Sequence, residues 1–196
     1  MNKNLLILTL VSVVSLMSFI NLPTAGTYSI DTKASELKWT GYHLAKSYEH
    51  WGHVQLKSGA LETDGEKITG GTFVIDMNSI SNADIEEEKN NQKLVNHLKS
   101  DDFFSVKDHP EAKLVIKSSE KTGENTYKTT GDLTIKGITK EIEFGTTVNK
   151  LTDTEIEAVA DMRVPRTEFK VMYGWKVENA ILDGEFRMEV KLVGKK

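Results

Sequence analysis

His50 and His53 stand three residues apart, a spacing at which two imidazoles can chelate a metal ion on a helix. Their neighbours, however, alternate apolar and polar. On a strand, positions three apart face opposite ways, so the two histidines are read as separate side chains and no metal is expected. Arg166 offers a planar donor fork suited to a phosphate, carboxylate or amide, and a nearby carboxylate such as Glu168 or Asp76 would satisfy it as well. Asp84, Glu86, Glu87 and Glu88 resemble a cation site in density alone. They follow Ser81-Asn82-Ala83-Asp84, a run of capping residues, and carboxylates there suit the positive end of a helix dipole. The chain has no nucleophile elbow, no His-Glu-x-x-His and no phosphate-cradling glycine loop; Gly70-Gly71 alone is too short. The absence of Cys removes disulfides, thiolate metal sites and a Cys nucleophile. No catalytic residue and no cofactor is therefore expected.

The elements that must position these residues are bounded by size and charge. The chain has 196 residues, enough for one domain with a sizeable core. It carries 25 Lys and Arg against 29 Asp and Glu, a net charge of −4 with no basic block, which excludes nucleic acid as a natural partner. Lys3 precedes an apolar run from Leu5 to Ile20, and Asn21-Leu22-Pro23-Thr24-Ala25-Gly26 ends it. A positive start, an apolar run and a small-residue exit read as a secretory signal peptide over residues 1–25, with the domain at 26–196. The competing reading is an uncleaved anchor, for which the run is shorter than the ~20 residues that span a bilayer.

The remainder alternates with period two, as strands with one dry face do. Apolar residues recur at Leu37 and Trp39, at Val54 and Leu56, and at Phe73, Ile75 and Met77. Further windows are Leu114 and Ile116, Leu133 and Ile135, and Ile142, Phe144, Thr146 and Val148. The last two are Ile156, Ala158, Ala160 and Met162, and Phe186, Met188, Val190 and Leu192. That makes roughly eight strands. Short breaks at Asp64-Gly65, Lys121 to Asn125, Lys136-Gly137 and Leu151-Thr152-Asp153 favour antiparallel neighbours. One helix is expected over about residues 83–99, with Leu94, Val95 and Leu98 on one face and a further turn from Ser100 to Phe104. An all-β chain of this kind closes as a sandwich or as a barrel, and both remain open at this point. Small residues at inward candidates Gly71, Thr129, Gly131, Thr146, Ala158 and Ala160 would leave volume, and an empty apolar volume suits an apolar ligand.

Several segments occur in a specific order. His50-Trp51-Gly52 and Gly59 are followed by the stretch from Gly70-Gly71-Thr72-Phe73 to Ile80. Then come His97-Leu98-Lys99-Ser100-Asp101-Asp102-Phe103-Phe104 with Pro110, Gly131-Asp132-Leu133-Thr134-Ile135-Lys136-Gly137-Ile138-Thr139-Lys140, and Arg166-Thr167-Glu168-Phe169. Over essentially residues 27–193 this resembles the YceI-like family of exported bacterial lipid-binding proteins. The resemblance implies a lipocalin-like antiparallel barrel with a long internal apolar tunnel. It also implies a long-chain ligand, a polyisoprenoid with a polar head or a fatty acid or its amide, and a periplasmic or secreted location. The chain departs from the commoner family pattern at Trp51, where a smaller or polar residue is frequent, and at Lys170, where many members have Gly.

Given a tunnel, its expected wall is the inward set Leu37, Trp39, Val54, Leu56, Phe73, Ile75, Leu133, Ile142, Phe144, Ala158, Ala160, Phe186 and Met188. His50, Arg166, Tyr173 and Trp175 are expected at the mouth for the head group, with Tyr173-Gly174-Trp175 as a flap. Trp39, Trp51 and Trp175 either line the channel or pack as ordinary core. Phe103-Phe104 reads as a plug that seats the helix on the barrel. The expected function is carriage or sequestration of an isoprenoid or acyl lipid, with transient membrane contact. The alternatives are a filled structural barrel and an enzyme acting on such a lipid. Monomer and dimer are both left open.

Overall fold

The period-two windows form strands because alternate side chains can share one dry face, and the short turns between them impose antiparallel pairing. The computed structural model describes residues 23–44, 48–172 and 182–196. The strands are β1 (Gly26–Ile30), β2 (Glu36–His43), β3 (Glu49–Thr63), β4 (Ile68–Asp76), β5 (Glu111–Lys121), β6 (Thr126–Ile135), β7 (Ile138–Leu151), β8 (Glu155–Pro165) and β9 (Leu182–Lys195). One helix, α1 (Glu88–Lys99), and two 3-10 turns, Met77–Ser79 and Arg166–Phe169, complete the described elements. Most of the expected signal segment, residues 1–22, lies outside the described residues, as does the expected flap at Tyr173 and Trp175. No described helix is long and apolar enough to cross a membrane.

All strands belong to one antiparallel sheet in the order β1-β3-β2-β9-β8-β7-β6-β5-β4, and β3 pairs with β4 to close it. The closed form is therefore a barrel rather than a sandwich. It is eight strands around, because β1 and β2 share one place in the ring. Both pair with β3, β1 at Ala60 to Thr63 and β2 at Glu49 to Val54, and both pair with β9. The interruption between them is an Asx turn in which Asp31 Oδ1 accepts the Lys33 and Ala34 amides. Register shifts at Leu56/Ser58, Ile116/Ser118 and Val148/Lys150 bend the strands that must wrap the barrel.

The connections divide between two ends. The lower end carries the short turns after β3, β5 and β7. Tyr28 Oη donates to the Thr152 carbonyl at 2.5 Å, and Tyr127 Oη to the Glu66 carbonyl at 2.8 Å, so two buried phenols tie the wall to these turns. The upper end carries α1, both 3-10 turns and the connections after β2 and β8. Helix α1 buries Val95 and Leu98, the face expected from their spacing. It begins at Glu88, five residues later than expected. Residues 82–84 are instead tied to β3: Ala83 N–H and Asn82 Nδ2 donate to the Trp51 carbonyl at 2.9 and 3.0 Å, and Asp84 Oδ1 accepts the Trp51 amide at 2.8 Å. Side chains that could cap a helix are spent on a strand edge.

Candidate ligand-binding cavity

Inside the barrel lies a cavity of about 220 Å³. Its wall is built by alternate positions on neighbouring strands. On β2 and β3 these are Leu37, Trp39, Val54 and Leu56; on β4, Phe73 and Ile75; on β6 and β7, Leu133 and Phe144; on β8 and β9, Ala158, Ala160, Phe186 and Met188. Trp39, Ile75, Ala160, Phe186 and Met188 face inward yet remain only partly buried, because the surface they keep borders the cavity. Ile142 differs from the expected wall. It is buried in the core, 8% exposed, but stands off the cavity. Facing inward is necessary for reaching the void, and position along the strand then decides.

The small residues divide in the same way. Thr146, Ala158 and Ala160 line the cavity, whereas Gly71, Gly131 and Thr129 do not. A Cβ on Gly131 would sit 2.8 Å from the Val115 carbonyl oxygen, so that glycine admits the neighbouring strand and leaves no void. Thr129, fully buried, bonds the Thr146 hydroxyl at 2.9 Å. The hydroxyl on the cavity wall is thus already partnered.

The upper end contributes residues that the strand pattern does not reveal. Ile80, Leu94, Leu98, Phe103 and Phe104, together with Met77 from the end of an alternating window, line the cavity from the β4–β5 connection. Phe104 meets Phe186 edge-on at 6.2 Å between ring centroids. Phe103 and Phe104 are therefore cavity wall as well as a seat for the helix, which corrects the reading of them as a plug alone. The only sequence signal was the adjacent pair of aromatics, since a turn has no periodicity. Leu114, Ile116, Met162, Val190 and Leu192 also line it. These stood in the alternating windows and follow from the same period.

The two histidines occupy opposite faces of β3. His50 borders the cavity, and its Nδ1 lies 2.7 Å from Asp84 Oδ2. His53 lies outside, 3.1 Å from Glu36 Oε1. Trp51 also faces outward, with Lys38 Nζ 4.9 Å from its ring centroid, so of the three tryptophans Trp39 lines the cavity, Trp51 does not, and Trp175 is outside the described residues. Among the described residues no three metal-ligating side chains come together. Partial burial works against a charge on Asp84, but hydrogen bonds from the Trp51 amide, His50 and Asn82 outweigh it and hold the carboxyl below its ordinary value.

Arg166 is buried and also borders the cavity. Its Nε donates to the Asp183 carbonyl at 2.6 Å, Nη1 to the Val171 carbonyl at 3.0 Å and Nη2 to the Leu182 carbonyl at 3.3 Å. The guanidinium thus clamps the chain on either side of residues 173–181. Burial lowers its pKa from the ordinary value, and the Asp183 carboxylate opposes that shift. Lys170, just beyond the 3-10 turn, has φ 54°, a left-handed conformation that favours glycine.

A family model described as YceI-like domain matches residues 28–193. A UPF0312 protein of Pseudomonas putida is 33% identical over 127 residues, which is 64% of this chain and 63% of that protein. A UPF0312 protein of Shewanella denitrificans is 31% identical over 126 residues, 62% of this chain and 63% of that one. The chain thus spans about 63% of the length of the curated relatives it matches. Among solved structures, Burkholderia cenocepacia BcnA aligns with a TM-score of 0.67 at 23% identity, covering 84% of this chain and 98% of that one. A polyisoprenoid binding domain from Saccharophagus degradans, implicated in plant cell wall breakdown, aligns with a TM-score of 0.62 at 15% identity, covering 86% and 97%. At these identities the likeness is one of fold.

Proposed function

Because the chain belongs to the YceI-like domain family, we propose that its cavity holds the hydrocarbon tail of a long-chain lipid, a polyisoprenoid or a fatty acyl chain, and that the protein carries or sequesters that lipid in the periplasm or outside the cell. The observation that carries this reading is the apolar void of about 220 Å³ enclosed by the barrel. An apolar cavity stays dry and receives apolar molecules. Each methylene moved from water to such a wall contributes ~0.8 kcal/mol, so ten contribute on the order of 8 kcal/mol before the entropic costs of association. Few polar contacts are then needed. Small-molecule pockets commonly span ~300–1,000 Å³. A long chain would therefore widen this lumen, and the flexible wall residues Met77, Met162 and Met188 suit that adjustment.

The polyisoprenoid-binding description of the Saccharophagus degradans domain supports the choice of ligand class. Tight apolar binding makes release into water slow, so exchange takes place against a membrane or a partner surface. The role is binding rather than catalysis. The apolar run from Leu5 to Ile20 supports export.

The test is organic extraction of the purified protein followed by mass spectrometry, with fractionation of the producing cells. A stoichiometric long-chain lipid and a periplasmic or secreted protein are expected. A protein that yields no lipid and fails to bind a fluorescent fatty-acid probe would be a filled structural barrel.

A further inference from the structure

We propose that the cavity is blind at its lower end and selects the length of the tail it holds, with Leu61 and Ile68 as the stop on which the free end of the hydrocarbon rests. This rests on the reading that the cavity holds a lipid tail. Leu61 is the last residue of β3 to border the cavity and Ile68 the first of β4, and both are buried, 1% and 2% exposed. Beneath them the lumen is filled by side chains. Tyr28, Tyr127, Val148 and Ile156 belong to the same buried core, yet none borders the void. Gly194 on β9 shows how full that layer is. A Cβ there would stand 2.9 Å from Ile156 Cγ2, 3.0 Å from Ile30 Cδ1 and 3.2 Å from Tyr28 Cβ. A layer without room for one methyl group leaves no passage for a hydrocarbon chain.

The stop is held more firmly than the wall above it. Leu61 is paired in register with Tyr28 on one side and with Gly71 on the other. A Cβ at Gly71 would stand 3.2 Å from Leu61 Cδ1 and 3.3 Å from Phe73 Cε2, so these two side chains occupy the space that the glycine leaves. Ile68 opens β4, and its carbonyl accepts the buried Ser119 hydroxyl at 2.5 Å. Below, the bonds of Tyr28 and Tyr127 to the Thr152 and Glu66 carbonyls resist any downward movement of the packed layer. The adaptable side chains lie higher. Met162 and Met188 stand opposite each other in register on β8 and β9, and Met77 follows β4 at the upper end. The lumen can therefore widen around a chain without deepening beneath it. Each methylene adds affinity until the tail meets the stop, and a longer tail must leave its surplus in water.

The experiment uses saturated fatty acids that differ only in chain length, each competing with a fluorescent fatty-acid probe for the full chain. In the wild type, affinity is expected to rise by up to about fourfold per added methylene and to stop rising at one length. Leu61→Ala vacates the end of the lumen and should move that limit up by about two carbons, with the shorter acids unaffected. Ile68→Val, a milder change that keeps the test open if Leu61→Ala does not fold, should move it up by about one carbon. Ile68→Phe should move it down. An affinity that keeps rising across the whole series overturns the proposal, because the tunnel would then be open below. A limit that stays in place in every folded variant also overturns it, because the stop would lie elsewhere; lipid binding itself survives either result. Failure of the probe and of every acid to bind the wild type overturns the lipid reading instead.

Discussion

Gly52 lies so close to Ser81 that a Cβ at position 52 would stand 1.9 Å from the Ser81 carbonyl oxygen. The obstacle is backbone, which cannot swing aside as a side chain would. The same carbonyl accepts the His53 amide at 3.2 Å and the Trp39 indole N–H at 3.0 Å. One missing side chain therefore allows residues 81–84 to lie along β3 and brings Asp84 to His50. Gly52→Ala should push that segment away and cost roughly 1–3 kcal/mol. Chemical denaturation reads this directly, and an unchanged midpoint would mean that the segment tolerates displacement.

Ala160 stands between Thr146 on β7 and Val190 on β9, in register, and all three border the cavity. Ala160→Trp should fill the lumen and remove co-purifying lipid while the far-ultraviolet spectrum stays that of a β protein. Overpacking of this kind costs about 1–3 kcal/mol, which a closed barrel of this size should survive. Undiminished lipid in the extracted variant would place residue 160 off the binding wall.

Arg166→Ala should destabilise the upper end by at least one charge-assisted hydrogen bond, roughly 1.5–3 kcal/mol, because three carbonyls lose their donor. Arg166→Lys should restore little of it, since one ammonium cannot reproduce the planar fork. Thermal unfolding gives the total, and hydrogen exchange at Val171 and Leu182 locates it. Full stability in Arg166→Ala together with loss of lipid would make the residue a ligand contact instead.

Asp84 titrates in the fold below its ordinary value of 3.8, so its charge stabilises the protein wherever the unfolded carboxyl is also ionised. That contribution is complete above the ordinary value and is lost as pH falls from there through the lower folded-state value. Asp84→Asn should therefore be less stable than wild type near neutrality, with the gap closing in acid. Urea midpoints measured across that range test the sign. A gap that stays constant into acid would assign the cost to packing.

Much of the barrel is visible in the residues because strand periodicity is a local steric property. Phe186, Met188, Val190 and Leu192 alternate with charged neighbours whatever they later pair with, and each reaches the cavity. The face of α1 is local in the same sense, through Leu94, Val95 and Leu98. Its starting point is not, because Asn82 and Asp84 could cap a helix or bond Trp51, and only the proximity of β3 decides between them.

Alternation and turn residues determined an antiparallel β protein with a dry inner face, since both depend on interactions within a few residues of chain. Tertiary structure decided the rest. The β3–β4 pairing made the sheet a barrel, the β4–β5 connection brought Phe103 and Phe104 to the cavity, and Arg166 acquired the backbone carbonyls of Val171 and Leu182 as partners. His50 met a carboxylate 34 residues away. The physical reason is that register and closure are set by contacts between distant segments, and no short window of sequence contains both partners of such a contact.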